Sequence, residues 1–374
     1  MDDHYSCAKG ISFIIPPYIL EQVANNTEEP EQRKRAIDNL SMQGQLRGMR
    51  IGISQFAFAG LDTGAKRRTI YDAQHKQGLP GKLVRSEGQT AGKDVTVKEA
   101  YDFSGNTYDF YQTVFERNSI NNKGMRLDST VHYGKGFDNA FWNGQQMVYG
   151  DGDAKLFDRF TKCIDVVGHE LTHGITQFSA QLEYSDQSGA LNESMSDVFG
   201  IMIKQWVLKQ AAQQADWLIG AGLFMPKTGS NRTALRSMKA PGTAYDDPIL
   251  GKDPQPAHMK DYYQGSDDNG GVHINSGIPN HAFCLAAMKI GGNAWDIAGQ
   301  IWYEVLTTRL HTQSQFADAA AATPRRGQEV WCKGGLSGQQ RMENRRTVSN
   351  TNVCDGISRR QVNLRLVPGV FSSL

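Results

Sequence analysis

No run in the 374-residue sequence approaches the ~20 consecutive apolar residues that a membrane-crossing helix needs, so no helical span is expected. Charge of one sign is also lacking. Forty Lys and Arg against 39 Asp and Glu leave a net charge of +1, which recommends neither nucleic acid nor an anionic membrane surface as partner. Cysteine is scarce: Cys7, Cys163, Cys284, Cys332 and Cys354 are odd in number and contain no CxxC pair. That argues against a disulfide framework or a structural zinc knuckle. A basic leader is missing too. The chain opens Met1-Asp2-Asp3, and its first apolar run, Ile11 to Leu20, is interrupted by Pro16-Pro17. No signal peptide is expected, which predicts a cytoplasmic precursor or one exported by a non-classical route.

What is present divides into five stretches. Residues 1–50 combine a short apolar segment, ISFIIPPYIL, with a polar helical stretch from about Glu21 to Met42. Residues 42–68 are Gly- and basic-rich, a composition that suits an exposed linker or processing site, and the linker proper is set at residues 51–67. Residues 68–156 alternate short β-like runs (RRTIYDA, KLVRS, VTVKEA) with turns, and residues 157–323 are mainly helical. Residues 324–374 carry nine Lys and Arg against three Asp and Glu, with no sustained helical stripe. The fold class expected is α+β: a β-rich lobe, then a helical lobe.

One helix is well marked. Ile164, Val167, Leu171, Ile175 and Phe178 recur at three- and four-residue spacing, the period of an amphipathic helix. On it stands His169-Glu170-Leu171-Thr172-His173. Residues four apart share a helix face, so both imidazoles can reach one ion, with Glu170 beside it and free to act as a base. A bare HExxH also occurs as a solvated polar face, but here the motif interrupts an otherwise apolar helix. A catalytic zinc needs a third protein ligand and one open corner for water. Glu193, twenty residues after His173, is the candidate, on a helix striped by Leu191, Met195, Val198, Met202 and Trp206. Asp197, one turn further, is placed to accept the second ring N–H of one ligand histidine, and Asn192 that of the other. The competing reading of Glu193 and Asp197 is an exposed acidic face.

With these residues in view the sequence resembles the thermolysin family of metallopeptidases. The stretches that carry the resemblance are DNAFWNGQQMVYGDGD, VVGHELTHGIT, GALNESMSD and DDNGGVHINSGIPNHAF, in that order between about Arg68 and Ala322. The N-terminal PPYIL segment looks like the short propeptide of the family's protealysin-like branch. The resemblance implies a two-lobed fold joined by the HExxH helix and a zinc-dependent neutral endopeptidase made as a zymogen. It implies zinc on His169, His173 and Glu193, with Glu170 as general base. Tyr184 and His273 would stabilise the oxyanion, with Asp268 orienting His273. Arg236 would hold a substrate carbonyl, and Asn139, Ala140 and Trp142 would line the substrate backbone. Phe157, Phe160, Val166, Ile219, Leu223 and Leu235 would form an apolar pocket, narrowed by Phe160, that directs cleavage to the amino side of bulky hydrophobic residues. Taken singly, Tyr184 and His273 read as packing residues and Arg236 as a surface charge.

Two departures from the family are visible. Its double calcium site needs five acidic side chains; Asp165 and Asp216 match, but Lys204, Leu218 and Ala221 stand at the others. Two carboxylates are too few for a pair of hard cations, so that site is expected to be absent, with Lys204 pairing Asp165 instead. The resemblance also stops at Thr323, which fits either a frameshifted terminus or a basic appendage. Partners expected are peptide substrates and the chain's own propeptide, whose Phe13–Tyr18 stretch would occupy substrate subsites and whose Cys7 is a candidate zinc thiolate. A propeptide that only assists folding is the alternative. A monomer is expected. The rival functions are a catalytically impaired binding protein, because of the altered C-terminus, and a zinc aminopeptidase. The latter would need acidic groups around a substrate α-amine, and no such cluster is identifiable.

Overall fold

The computed structural model describes residues 11–53 and 64–323. Cys7 and the tail after Thr323 lie outside the described residues. The first helices of the described residues are α1 (Pro17–Asn26) and α2 (Pro30–Ile53). Pro17 occupies the first turn of α1, where its missing N–H and fixed φ do no harm. Ile19, Leu20 and Val23 of α1 and the preceding Ile14 and Ile15 are buried in the main core, each worth about 1.5–3 kcal/mol on removal from water. Helix α2 runs on through the Gly- and Arg-rich stretch read as linker. Its apolar positions are sparse, and it is anchored from the side instead: Arg35 pairs with Asp138, and Asn39 bridges Gly136 and Asp138.

The first lobe is built on a five-stranded mixed sheet. Its strands are β1 (Arg68–Asp72), β2 (Lys82–Ser86), β3 (Leu127–Val131), β4 (Ala140–Trp142) and β5 (Met147–Tyr149), in the order β2-β1-β3-β5-β4. β1, β3 and β5 are parallel, while β2 and β4 run antiparallel at the edges. The VTVKEA run, which reads as strand, is the start of a long helix, α3 (Val95–Phe115). Asp94 accepts from the Thr96 and Val97 amides, and this N-cap overrides the β preference of Val-Thr-Val. The buried face Val97, Ala100, Tyr101, Ser104, Phe110, Tyr111 then has helical spacing.

The second lobe is mainly helical, with α4 (Ile164–Gln177), α5 (Asp186–Leu208), α6 (Asp267–Asn275), α7 (Gly277–Ile290) and α8 (Ala298–Thr308). Between α5 and α6 lies an irregular stretch with short strands β6 (Leu218–Ile219), β7 (Asn231–Arg232), β8 (Arg236–Ser237), β9 (Tyr245–Asp247) and β10 (Gly251–Lys252), which the helical reading of this region did not contain. α4 is buried all round between Asp165 and Thr176, so its polar residues face other parts of the protein rather than solvent. α4 and α5 approach closely because two glycines meet: a Cβ on Gly200 would lie 2.6 Å from the Asp165 carbonyl oxygen, and one on Gly168 would lie 2.7 Å from Ile203. Among the described residues no helix is long and apolar enough to cross a membrane.

Candidate metal centre

α4 and α5 bring three ligand atoms together. The Nε2 atoms of His169 and His173 are 3.0 Å apart. Glu193 Oε2 lies 3.4 Å from His169 Nε2, and Glu193 Oε1 lies 3.5 Å from His173 Nε2. Tetrahedral zinc with bonds of about 2.0–2.1 Å sets its ligands roughly 3.3 Å apart, so this triangle has the right size. Among the described residues these three form the one group of His, Cys, Asp and Glu atoms close enough to share an ion.

The chemistry of the donors fits as well. His169 Nδ1 is 2.8 Å from Asp197 Oδ1, and His173 Nδ1 is 2.8 Å from Asn192 Oδ1. Both acceptors fix the proton on Nδ1, which turns two Nε2 lone pairs towards each other. Only a cation relieves that. Without a metal a proton does so: burial disfavours the charged form of both rings, but Asp197 and Glu193 hold His169 up at about 9, while His173 drops to about 3. Glu193 Oε2 has no hydrogen-bond partner, which leaves it a lone pair for an ion. Zinc therefore fits these residues.

Around the triangle the expected residues are in reach. Glu170 is buried, accepts from the Trp142 amide at 3.0 Å, and has its other oxygen unpartnered. Burial pushes its carboxyl up to about 8 before any ion charge is counted. The Tyr184 hydroxyl donates to Glu193 and lies 3.2 Å from His273 Nε2. His273 is held through Nδ1 by Asp268 at 2.7 Å, and its amide donates to the same carboxylate. Asp268 itself has a left-handed backbone, as do Asn269, Gly270 and Gly271, so α6 opens in a tight turn that folds the carboxylate back on the ring.

Arg236 does more than the sequence suggested. Its Nε and Nη2 both donate to Asp197 at 2.8 Å, and Nη1 reaches the Ile14 carbonyl at 3.5 Å. Asp197 thereby orients a ligand histidine and an arginine at once, held down to about 2 by Arg236 and His169 against the opposing effect of burial. Asn280 Nδ2 also donates to Asp197, and Ser196 Oγ is 3.1 Å from His173 Nδ1. Sequence reasoning missed both; Asn280 was legible only as a polar residue on the apolar helix α7. Trp142 contributes its backbone to Glu170 and its indole N–H to Gln177. Phe157, Phe160, Val166, Ile219, Leu223 and Leu235 are all buried in the main core, which also holds Ile14.

The N-terminal segment lies across this site. The Ile14 amide donates to the Ala140 carbonyl at 3.2 Å. The Ile15 amide donates to Asn139 Oδ1, and Asn139 Nδ2 donates back to the Ile15 carbonyl. The Phe13 carbonyl oxygen is 3.0 Å from His273 Nε2. The expected pairing of Lys204 with Asp165 is present as part of a wider contact: Lys204 Nζ is 3.0 Å from Asp216, 2.9 Å from the Leu218 carbonyl and 3.6 Å from Asp165.

The chain is similar to known proteins. The thermolysin metallopeptidase catalytic domain matches residues 49–177, and the family's alpha-helical domain matches residues 180–343; the second match runs past Thr323, where the resemblance read from sequence ended. An extracellular metalloprotease of Pectobacterium carotovorum subsp. carotovorum is 53% identical over 308 residues, 82% of this chain and 87% of the relative. Protease PrtS of Photorhabdus sp. (strain Az29) is 46% identical over 324 residues, 85% and 87% of the two chains. The solved precursor of protealysin, a metalloproteinase from Serratia proteamaculans, is 52% identical with a TM-score of 0.77, covering 85% of this chain and 94% of that one. The chain belongs to the thermolysin family of metallopeptidases and is a metalloendopeptidase.

Proposed function

We propose that this protein is a latent zinc endopeptidase that cleaves on the amino side of bulky apolar residues. The observation that carries the reading is the inward-facing pair of Nε2 atoms beside Glu193, with Glu170 unpartnered next to them. His169, His173 and Glu193 would hold zinc, which would supply a Lewis acid for the carbonyl and for the attacking water. The chain's own groups do the rest. Glu170 takes the proton from the attacking water and returns it to the leaving nitrogen. Tyr184 and His273 donate towards the carbonyl oxygen as negative charge grows there, with Asp268 keeping His273 in orientation. Asn139, Ala140 and Arg236 hold the substrate backbone, and the cluster around Phe160 and Leu235 takes the side chain after the cleaved bond.

Latency is supported by Phe13, Ile14 and Ile15, which use those same backbone holders. The reading is therefore inhibition and not only assisted folding. Lys204, between Asp165 and Asp216, supports a fold that needs no calcium pair. The test is casein hydrolysis by the zinc-loaded protein after an added protease has removed its N-terminal segment. Activity should vanish with a zinc chelator and fall by about 10²–10⁴ in Glu170→Gln, with bound zinc unchanged; full activity in that variant would overturn the reading.

A further inference from the structure

The groups of the centre stand on two separate helical units. His169, His173, Glu193 and Asp197 belong to α4 and α5, while His273 belongs to α6, which runs on through Ser276 into α7. Glu193 and Asp197, one turn apart on α5, both reach across to the second unit. Glu193 Oε2 lies 3.5 Å from His273 Nε2, and Asp197 Oδ2 accepts from Asn280 Nδ2 at 2.8 Å. The first contact cannot hold the units together during hydrolysis, because Glu193 then serves as a ligand and His273 Nε2 turns to the substrate oxygen. The second involves no reacting group and persists.

Asn280 is also joined to His273 along the main chain. Its amide donates to the Ser276 carbonyl at 3.0 Å. Ser276 Oγ donates to the His273 carbonyl at 3.0 Å, and Gln255 Nε2 donates to that same carbonyl at 2.8 Å. A short run of hydrogen bonds therefore leads from Asp197 to the backbone of His273. Asn280 is buried on a helix face shared with Ile278, Ala282 and Phe283, and its Oδ1 has no hydrogen-bond partner. Buried polar atoms are seldom left so, and a position that served packing alone would favour an apolar side chain. The nitrogen is what the site uses. A carboxylate offers about four acceptor positions; His169 and the Arg236 fork take three of those on Asp197. Asn280 fills the fourth with a donor that adds no charge.

We infer that Asn280 is a positioning residue for His273: it ties the unit that carries this imidazole to the carboxylate that orients His169, and so sets the height of His273 over the metal triangle. An oxyanion donor works only within a few tenths of an ångström of its proper place, so a loosened tie is felt in the chemical step and not in substrate binding. This rests on the hydrolase reading above and adds a residue to its machinery.

The test compares wild type with Asn280→Leu, which keeps the size and removes the donor. Both are zinc-loaded and freed of the N-terminal segment by an added protease. On an N-acetylated peptide, kcat should fall by about 10–100-fold with KM within about twofold and bound zinc unchanged. An unchanged kcat, or a loss that lies in KM alone, overturns the proposal. A general loosening of the fold would lower kcat whether or not His273 is present, whereas a tie acting through His273 would not. Asn280→Leu added to His273→Ala should therefore change kcat by less than about twofold; the same 10–100-fold drop in that background overturns the proposal. Should Asn280→Leu fail to fold, Asn280→Ala is put through the same comparisons. If wild type cleaves nothing, the hydrolase reading fails instead, and crystals of the zinc-loaded, full-length variant decide. His273 Nε2 displaced by about 0.5 Å or more relative to Glu193 supports the tie, and an unmoved ring overturns it.

Discussion

Asp197 is shared between His169 and Arg236: one carboxylate accepts from the ligand ring and from both nitrogens of the guanidinium fork, all at 2.8 Å. The three groups are fully buried or nearly so, so the carboxylate neutralises Arg236 and sets the tautomer of His169 in one stroke. Asp197→Asn should weaken zinc binding by about 10–100-fold. It should also destabilise the fold by about 3–5 kcal/mol, because Arg236 is left as an uncompensated buried charge. Zinc titration against a competing chelator and urea unfolding read the two effects separately.

The N-terminal segment is fastened at a second point. Arg35 of α2 makes a two-pronged pair with Asp138, whose side chain is 5% exposed and which directly precedes the Asn139 that holds Ile15. Burial raises the Asp138 carboxyl to about 6 even with Arg35 beside it, so the acid depends on this partner. Arg35→Ala should hasten loss of latency, seen as a shorter lag before casein hydrolysis in the variant precursor. An unchanged lag would show that the grip on residues 13–15 suffices alone.

Lys204 stands where the family's calcium pair would require a carboxylate. Its ammonium touches Asp216 and the Leu218 carbonyl more closely than Asp165, so the expected Lys204–Asp165 pair is the longer arm of a three-way contact. Calcium should leave the melting temperature unchanged. Lys204→Ala strands buried Asp165, whose carboxyl burial already raises, and should lower stability by about 3 kcal/mol. A calcium-dependent rise in Tm of the wild type would contradict this.

His132 lies between two carboxylates, with Nδ1 2.8 Å from Asp151 and Nε2 2.9 Å from Asp94, the N-cap of α3. Hydrogen bonding to Asp151, helped by Asp94 and opposed by partial burial, raises its pKa from 6.5 to about 9. A histidine raised on folding stabilises fully below its unfolded pKa and loses that contribution as pH rises through the folded one. Thermal stability should therefore fall between about pH 7 and pH 9.5, and His132→Asn should flatten that slope. The same slope in wild type and variant would remove His132 as its cause.

The metal centre was the most legible part of the sequence because it depends on helical spacing. His169 and His173 are one turn apart, as are Glu193 and Asp197, and two apolar helices could pack only by facing these residues inward. The paired Nδ1 acceptors, Asp197 and Asn192, followed from the same periodicity. Elsewhere local preference misled. Val95-Thr96-Val97 reads as strand, yet Asp94 caps a helix there. Gly44 and Gly48 read as linker, yet lie inside α2, where tertiary anchors such as Arg35 outweigh propensity. Some contacts between distant segments were not legible. Asn280 on Asp197, and Phe13 on Phe141, join residues 83 and 128 positions apart, and no periodicity reports on those.

The central claim is that His169, His173 and Glu193 grip a single ion from two adjacent helices. An anomalous difference map recorded across the zinc edge on crystals of the full-length protein tests it most directly. The account predicts one peak about 2.0–2.2 Å from both Nε2 atoms and a Glu193 oxygen. A map with no peak between α4 and α5, or with Glu193 turned away from the ion, would contradict it.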